Sequence, residues 1–321
     1  MRIYFIDTVH RVLWDLLCAD GHECVDATAM SKTDMTGRMQ GVDGIVIRSR
    51  FLIDKDFIDA SPELKFIARS GAGMENIDTA YAAQRGIRCI NSPEGNRDAV
   101  AEHAVAMLLM LFNKLHTADR EVREGQWNRE KNRGVELKGK TVGIIGYGRM
   151  GSAFAARLGC FGCEVLAYDK YLDELPDANA RQVGFDELLD RADIISLHVP
   201  LTEETTYLVD KLFFDRLSKP VWLINTARGK CVNLGDLSKA LAAGKVLGAC
   251  LDVLEYEDLS FERFSIQDAA FSVSEEWRSL IADDRIVFSP HIAGWTAESY
   301  RKLSEVLYAK ISDFFPVRNK I

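Results

Sequence analysis

At 321 residues, 47% of them hydrophobic and 27% charged, the chain can bury sizeable cores, and ordinary domain sizes divide it into two globular domains. A net charge of -8 with no basic stretch to offset it excludes nucleic acid and anionic membrane surfaces as partners, so a small anionic ligand must be met by local arginines. The start, Met1-Arg2-Ile3-Tyr4-Phe5-Ile6-Asp7, has no signal-peptide core, and the longest apolar run, Ala104 to Phe112, is far shorter than the ~20 residues that span a bilayer, which predicts a cytoplasmic protein.

Short apolar runs alternate with amphipathic stretches along the whole chain, the pattern of βαβ units and parallel sheets. Strands are expected at Ile3 to Ile6, Gly44 to Ile47, Lys65 to Ala68 and Arg88 to Ile90 in a first group. A second group comprises Thr141 to Ile145, Glu164 to Tyr168, Ile194 to Leu197, Val221 to Ile224, Ala249 to Leu251 and Ile286 to Phe288. Between them, Ala99 to Glu124 reads as one long helix with more apolar surface than one face needs, which suits an inter-domain core, a dimer interface, or both. A hydrophilic arm, Arg120 to Lys140, follows it and carries Trp127. Cys160 and Cys163 form a CxxC pair where a helix runs into a strand, whereas redox pairs open a helix, so a structural role is expected. Seven scattered cysteines, an odd number, predict reduced thiols rather than a disulfide framework. Thr296 to Phe315 reads as a last amphipathic helix with no regulatory domain expected behind it.

Lys140 to Gly151 is a strand running into Gly146-x-Gly148-x-x-Gly151 and then a helical pattern from Ser152 to Leu158. Gly146 permits a tight turn, Gly148 lets the backbone approach a pyrophosphate, and Gly151 allows the helix to pack close on the strand. The diphosphate then meets the unpaired N–H groups of a helix N-terminus. The next strand ends at Tyr168-Asp169, where a carboxylate accepts hydrogen bonds from ribose hydroxyls and repels a 2'-phosphate, so NAD is the expected cofactor despite the neighbouring Lys170.

Four further motifs are Arg69 to Asp78, Ile224-Asn-Thr226-Ala-Arg228-Gly229, Gly248 to Glu257 and Ser289-Pro-His291-Ile-Ala-Gly294-Trp295. In this order and spacing they resemble the D-isomer-specific 2-hydroxyacid dehydrogenase family, most closely its D-3-phosphoglycerate dehydrogenase branch. The resemblance implies an α/β fold with two Rossmann-like or flavodoxin-like lobes of parallel sheet and an active site in the cleft. The substrate-binding lobe would comprise residues 1–98 and 295–321, with an NAD-binding Rossmann lobe, 99–294, inserted into it and residues 99–140 as linker helix and arm. It also implies a homodimer.

Reducing a 2-keto acid requires a cation for the carboxylate and carbonyl, a proton donor and a hydride donor. Arg228, after an apolar strand, has the planar fork for the first task, and His291 is the expected acid/base. Asp252, Glu255 and Glu257 are all candidates for the carboxylate that orients the imidazole and favours its protonated form. Only the register resembling the family selects Glu257. The same resemblance implies that Arg149 and Met150 line the diphosphate, that His198, Val199 and Pro200 cover the adenosine, and that Thr226, Ala227, Asp252 and Gly294 approach the nicotinamide. Ser70 and the backbone of Gly71-Ala72-Gly73 would meet the substrate carboxylate, and Arg48 and Arg69 a substrate phosphate. No His/Cys/Asp cluster has metal-site spacing, so no metal is expected.

Two departures stand out. Asp258 replaces a proline common after this Glu in the family, and the Asp258 to Asp284 segment, with Phe261, Phe264, Phe271 and Trp277, is longer than in the phosphoglycerate branch. It is either a packed surface helix or a lid. Three functions therefore compete: oxidation of 3-phosphoglycerate toward serine synthesis, a hydroxypyruvate, glyoxylate or D-lactate type reductase, and an NAD-sensing corepressor-like binding protein, which shares the fold.

Overall fold

The computed structural model describes residues 1–257 and 275–316. The described chain forms two compact units, 1–97 with 295–316, and 98–257 with 275–294. No described helix is long and apolar enough to cross a membrane.

In the first unit, strands β1 (Arg2–Phe5), β2 (Glu23–Asp26), β3 (Gly44–Ile47), β4 (Phe66–Arg69) and β5 (Arg88–Asn91) pair in parallel in the order β2-β1-β3-β4-β5. The central strands β3 and β4 are buried at every residue, which is why their sequences are continuous apolar runs instead of alternating ones. One face packs on the last helix, Ala297–Phe314, whose Leu307 and Ile311 join Ile3, Phe5 and Phe66 in one core. A reciprocal capping box between Thr296 and Ser299 starts that helix. Gly95 lets it come close, since a Cβ there would lie 2.6 Å from the Leu303 backbone. The strand β2 has no counterpart among the expected strands, because it is an edge strand, Glu-Cys-Val-Asp, with no fully buried residue and so no apolar pattern.

The second unit holds β6 (Thr141–Ile145), β7 (Glu164–Tyr168), β8 (Arg181–Gln182), β9 (Ile194–Leu197), β10 (Val221–Asn225), β11 (Val246–Leu251) and β12 (Ile286–Phe288). All pair in parallel, in the order β12-β11-β10-β9-β6-β7-β8. Its strands alternate between two cores: Val142, Ile144 and Ile194 face the layer containing Leu108 and Phe154, while Ile145, Ile195 and Leu197 face Leu188, Phe213 and Leu237. The strand order reverses between β6 and β9, and ligands of open α/β sheets bind beyond the carboxyl ends of the strands at such a point.

The long helix expected at Ala99 to Glu124 is two helices. Pro93–Phe112 begins earlier, with proline at its first position where the missing N–H costs nothing. It ends at Phe112, and Leu115–Arg123 starts anew because Lys114 adopts a left-handed φ of 51°. Trp127 is 78% exposed. Of the 258–284 segment, only its end is described: Trp277 in the Glu275–Ile281 helix is buried in the second unit's core, and Phe261, Phe264 and Phe271 lie outside the described residues.

Candidate active site

The glycine turn follows β6 directly. Gly146 has φ 92°, and a Cβ there would meet the carbonyl of His198 at 2.7 Å, so this position requires glycine for both conformation and space. A Cβ on Gly151 would sit 2.1 Å from the Gly146 carbonyl, which fixes how closely the Arg149–Leu158 helix approaches the turn. Gly148, by contrast, faces open space and stands at the N-cap with no side chain bonded to the helix end. The first turn of that helix thus has donor N–H groups and a free approach, the arrangement a diphosphate needs, with Arg149 exposed beside it and Met150 half-buried.

Asp169 ends β7. Its Oδ2 accepts the Tyr147 N–H at 2.8 Å and its Oδ1 the Tyr171 N–H at 2.9 Å, which fixes the carboxylate beside the turn while leaving lone pairs for ribose hydroxyls. Lys170 reaches away, bonded to both oxygens of Glu204 at 2.7 and 2.8 Å. Across the switch point, His198 Nε2 lies 2.8 Å from Ser196 Oγ and its ring centroid 5.2 Å from that of Phe154. Burial pushes this imidazole down to about 3, so the residue is neutral. Val199 abuts Gly146, and Pro200 is exposed. Thr226 is buried, and its Oγ1 lacks a partner among the described residues, an orphan polar atom suited to a bound amide. The residues present therefore fit a dinucleotide.

The other half of the second unit's site comes from the loops after β10, β11 and β12. Arg228 follows β10 by three residues, and its Nη1 donates to the Ala227 carbonyl at 2.6 Å. Ala227 is itself buried, its N–H bonded to Asn225 Oδ1. Gly229 admits the neighbouring loop, because a Cβ on it would lie 1.9 Å from the Leu254 carbonyl. His291 Nδ1 is 2.6 Å from Glu257 Oε2, and Glu257 Oε1 accepts the Leu254 N–H. Of the three carboxylates open in the sequence, the other two are engaged elsewhere. Glu255 accepts from Tyr207 Oη at 2.7 Å and from the Leu234 N–H at 3.0 Å, holding the start of a helix. Asp252 is 1% exposed and takes the N–H groups of Ile292 and Ala293, both at 2.9 Å, shaping the turn that ends in half-buried Gly294. Tyr207 was not among the expected site residues; a lone tyrosine far from every motif carries no sequence signal.

In the first unit, Arg48, Arg69 and Gly71 cluster. Arg69 is buried, its Nε donates to the Arg48 carbonyl at 3.1 Å, and its guanidinium lies against Gly71, where a Cβ would meet Nη1 at 2.1 Å. The Arg48 guanidinium stacks 4.3 Å from the Trp295 ring centroid. These two residues line a cavity of about 400 Å³ with Thr8, Thr296, Ala297 and Tyr300. The Ser70 N–H bonds the Ile47 carbonyl, and the Gly71 N–H turns to Ser92 Oγ at 3.3 Å, so within the Gly71-Ala72-Gly73 backbone the amides of Ala72 and Gly73 are the ones with no acceptor among the described residues. Asp7 was missed: its Oδ2 accepts the N–H groups of Arg48, Ser49 and Arg50 at 2.6, 3.0 and 3.2 Å and sets the loop's shape. An acid at a predicted strand end is the available signal for it. Among the described residues no group of three His, Cys, Asp or Glu side chains is placed to hold a metal ion.

The sheet order, the glycine turn and the carboxylate after β7 define a Rossmann-type dinucleotide-binding protein. Residues 105–293 match the model of the D-isomer specific 2-hydroxyacid dehydrogenase NAD binding domain. The chain belongs to this family, and its cofactor is NAD. It is 36% identical to a D-3-phosphoglycerate dehydrogenase of Archaeoglobus fulgidus, across all of this chain but only 59% of that protein's length. It is 33% identical to a hydroxypyruvate reductase of Thermotoga maritima, across 97% of each. Among solved structures, a D-lactate dehydrogenase from Aquifex aeolicus complexed with NAD and lactic acid is similar at a TM-score of 0.80 and 27% identity, over 98% of this chain and 95% of that one.

Proposed function

We propose that the protein is an NAD-dependent oxidoreductase that interconverts a D-2-hydroxy acid and its 2-keto acid, with D-3-phosphoglycerate as the substrate favoured by the arginine pair of the first unit. The observation that carries the reading is the 2.6 Å contact of His291, after β12, with Glu257, after β11, the strand next to the one that Arg228 follows. The glycine turn from Gly146 to Gly151 and Asp169 would hold NADH, which when bound would supply the hydride for C2. Arg228 holds the substrate carboxylate and draws electron density toward the carbonyl oxygen. With its Nδ1–H directed at Glu257, His291 gives the proton on Nε2 to that oxygen, and in the reverse direction it takes the hydroxyl proton back. The neutral ring with a proton on Nδ1 is the product form, held in that tautomer and orientation by the contact with Glu257.

For the first unit we assign Arg48 and Arg69, with the amides of Ala72 and Gly73, to the acidic groups of the substrate. A reductase of unphosphorylated hydroxypyruvate, glyoxylate or D-lactate is the second reading. It is favoured by the match to the Thermotoga hydroxypyruvate reductase over nearly the full length of both chains, and by the Trp295 ring that occupies one face of Arg48. NADH oxidation against phosphohydroxypyruvate, hydroxypyruvate, glyoxylate and pyruvate separates the two. Phosphohydroxypyruvate should give the highest kcat/KM; turnover at least ~10-fold better on any unphosphorylated acid rejects phosphoglycerate as substrate.

A further inference from the structure

We infer that His103, far from the motifs in sequence, is a positioning residue that holds the His291 turn through Ser289 and Asp252; this rests on the acid/base role proposed for His291. Asp252 is 1% exposed. A buried carboxylate is stable only when its lone pairs are met by donors, and here the N–H groups of Ile292 and Ala293 and the Ser289 hydroxyl, at 2.6 Å, supply them. Its backbone carbonyl accepts the N–H of His291 at 2.7 Å. His291 needs that grip, because it adopts a left-handed φ of 55°, which a side chain other than glycine rarely occupies.

The outer end of the arrangement is His103 on the Pro93–Phe112 helix. Its Nε2 lies 2.9 Å from Ser289 Oγ and 3.6 Å from Asp252 Oδ1. Among the described residues no other basic side chain comes within ion-pair reach of Asp252. The single hydroxyl hydrogen of Ser289 is directed at Asp252, because a buried carboxylate can only accept and lies at 2.6 Å, against 2.9 Å for the neutral imidazole of His103 and 3.6 Å for Met107 Sδ. Ser289 Oγ must then accept from His103 Nε2–H, and the chain runs in one sense, imidazole to hydroxyl to carboxylate. His103 and Met107 stand one helical turn apart, so one helix face grips both sides of Ser289. Polar networks of this kind hold a reacting group within the tolerance that catalysis needs.

His103→Leu removes the donor, and His103→Gln returns an N–H on a side chain of similar reach. His103→Leu should lower kcat for keto-acid reduction roughly tenfold with the KM for NADH within about twofold, and His103→Gln should recover most of the loss. In a Ser289→Ala background the leucine substitution should have no further effect, since its route to Asp252 is already cut. In the protein without ligand, the amides of Ile292 and Ala293 should exchange faster in His103→Leu than in the parent. An equal loss of kcat in both backgrounds, or unaltered protection at those two amides, overturns the inference. The amide measurement does not depend on His291 carrying the proton, so a fully active His291→Ala variant would overturn the acid/base assignment separately.

Discussion

At the scale of single residues, the chemistry divides between a proton carrier and a cation. His291→Ala should lower kcat by at least ~10²-fold while leaving NADH affinity, measured by fluorescence titration, near that of the parent. Arg228→Ala should raise KM and lower kcat together, because the guanidinium is assigned to bind the ground state and to stabilise developing charge; an unchanged kcat/KM rejects the assignment. His198 has a different consequence. Its pKa falls from 6.5 to about 3 on burial, so below 6.5 the unfolded chain takes up a proton that the native state refuses. Stability contributed by this residue is present above pH 6.5 and is lost as the pH falls from there toward 3. His198→Gln should therefore flatten the decline in urea midpoint between pH 6.5 and 4.5, and an identical decline in parent and variant contradicts burial as the cause. Burial also pushes the Cys163 thiol up, away from a thiolate.

At the scale of elements, the site depends on how closely loops from neighbouring strands approach. Gly229 is the tightest of these contacts, and the atoms in the way of a Cβ, the carbonyl of Leu254 and the N–H of Glu255, are backbone that cannot rotate aside. Gly229→Ala should destabilise the protein by about 1–3 kcal/mol, the usual cost of overpacking, and displace the Leu254 to Glu257 loop that carries the histidine's partner. Thermal denaturation with parallel kcat/KM measurements checks both, and a variant with unaltered Tm refutes the close approach. The elements themselves were unevenly legible. Strands buried on both faces, such as β3, β6 and β9, stand in the sequence at their observed limits, since burial demands continuous apolar runs. The edge strands β2 and β8 were invisible, because a strand paired on one side with few buried residues needs no apolar pattern. The break at Lys114 was equally hidden: apolar residues continue on both sides of it, and no glycine or proline marks it.

At the scale of the whole molecule, the region after the unit boundary presents apolar residues to solvent, with Leu115 at 55%, Val122 at 53% and Trp127 at 78% exposure. We propose that these residues are covered by a second copy of the chain, in which case sedimentation equilibrium should give about twice the 36.0 kDa chain mass. Replacing Leu115 and Trp127 with serine should shift the protein toward monomer; a parent that sediments as a monomer rejects the dimer. What the sequence by itself determined was the α/β class, the two groups of parallel strands and the glycine turn, because these rest on local rules: period, turn chemistry and the spacing of a helix after a strand. Which of Asp252, Glu255 and Glu257 partners His291 could not be read locally, since three acids within six residues are equivalent until folding directs one to a helix start, one to a backbone turn and one to the imidazole. The same holds for His103 and Ser289, 186 residues apart: only packing of the Pro93–Phe112 helix brings the two within 2.9 Å, and chain proximity contains no trace of it.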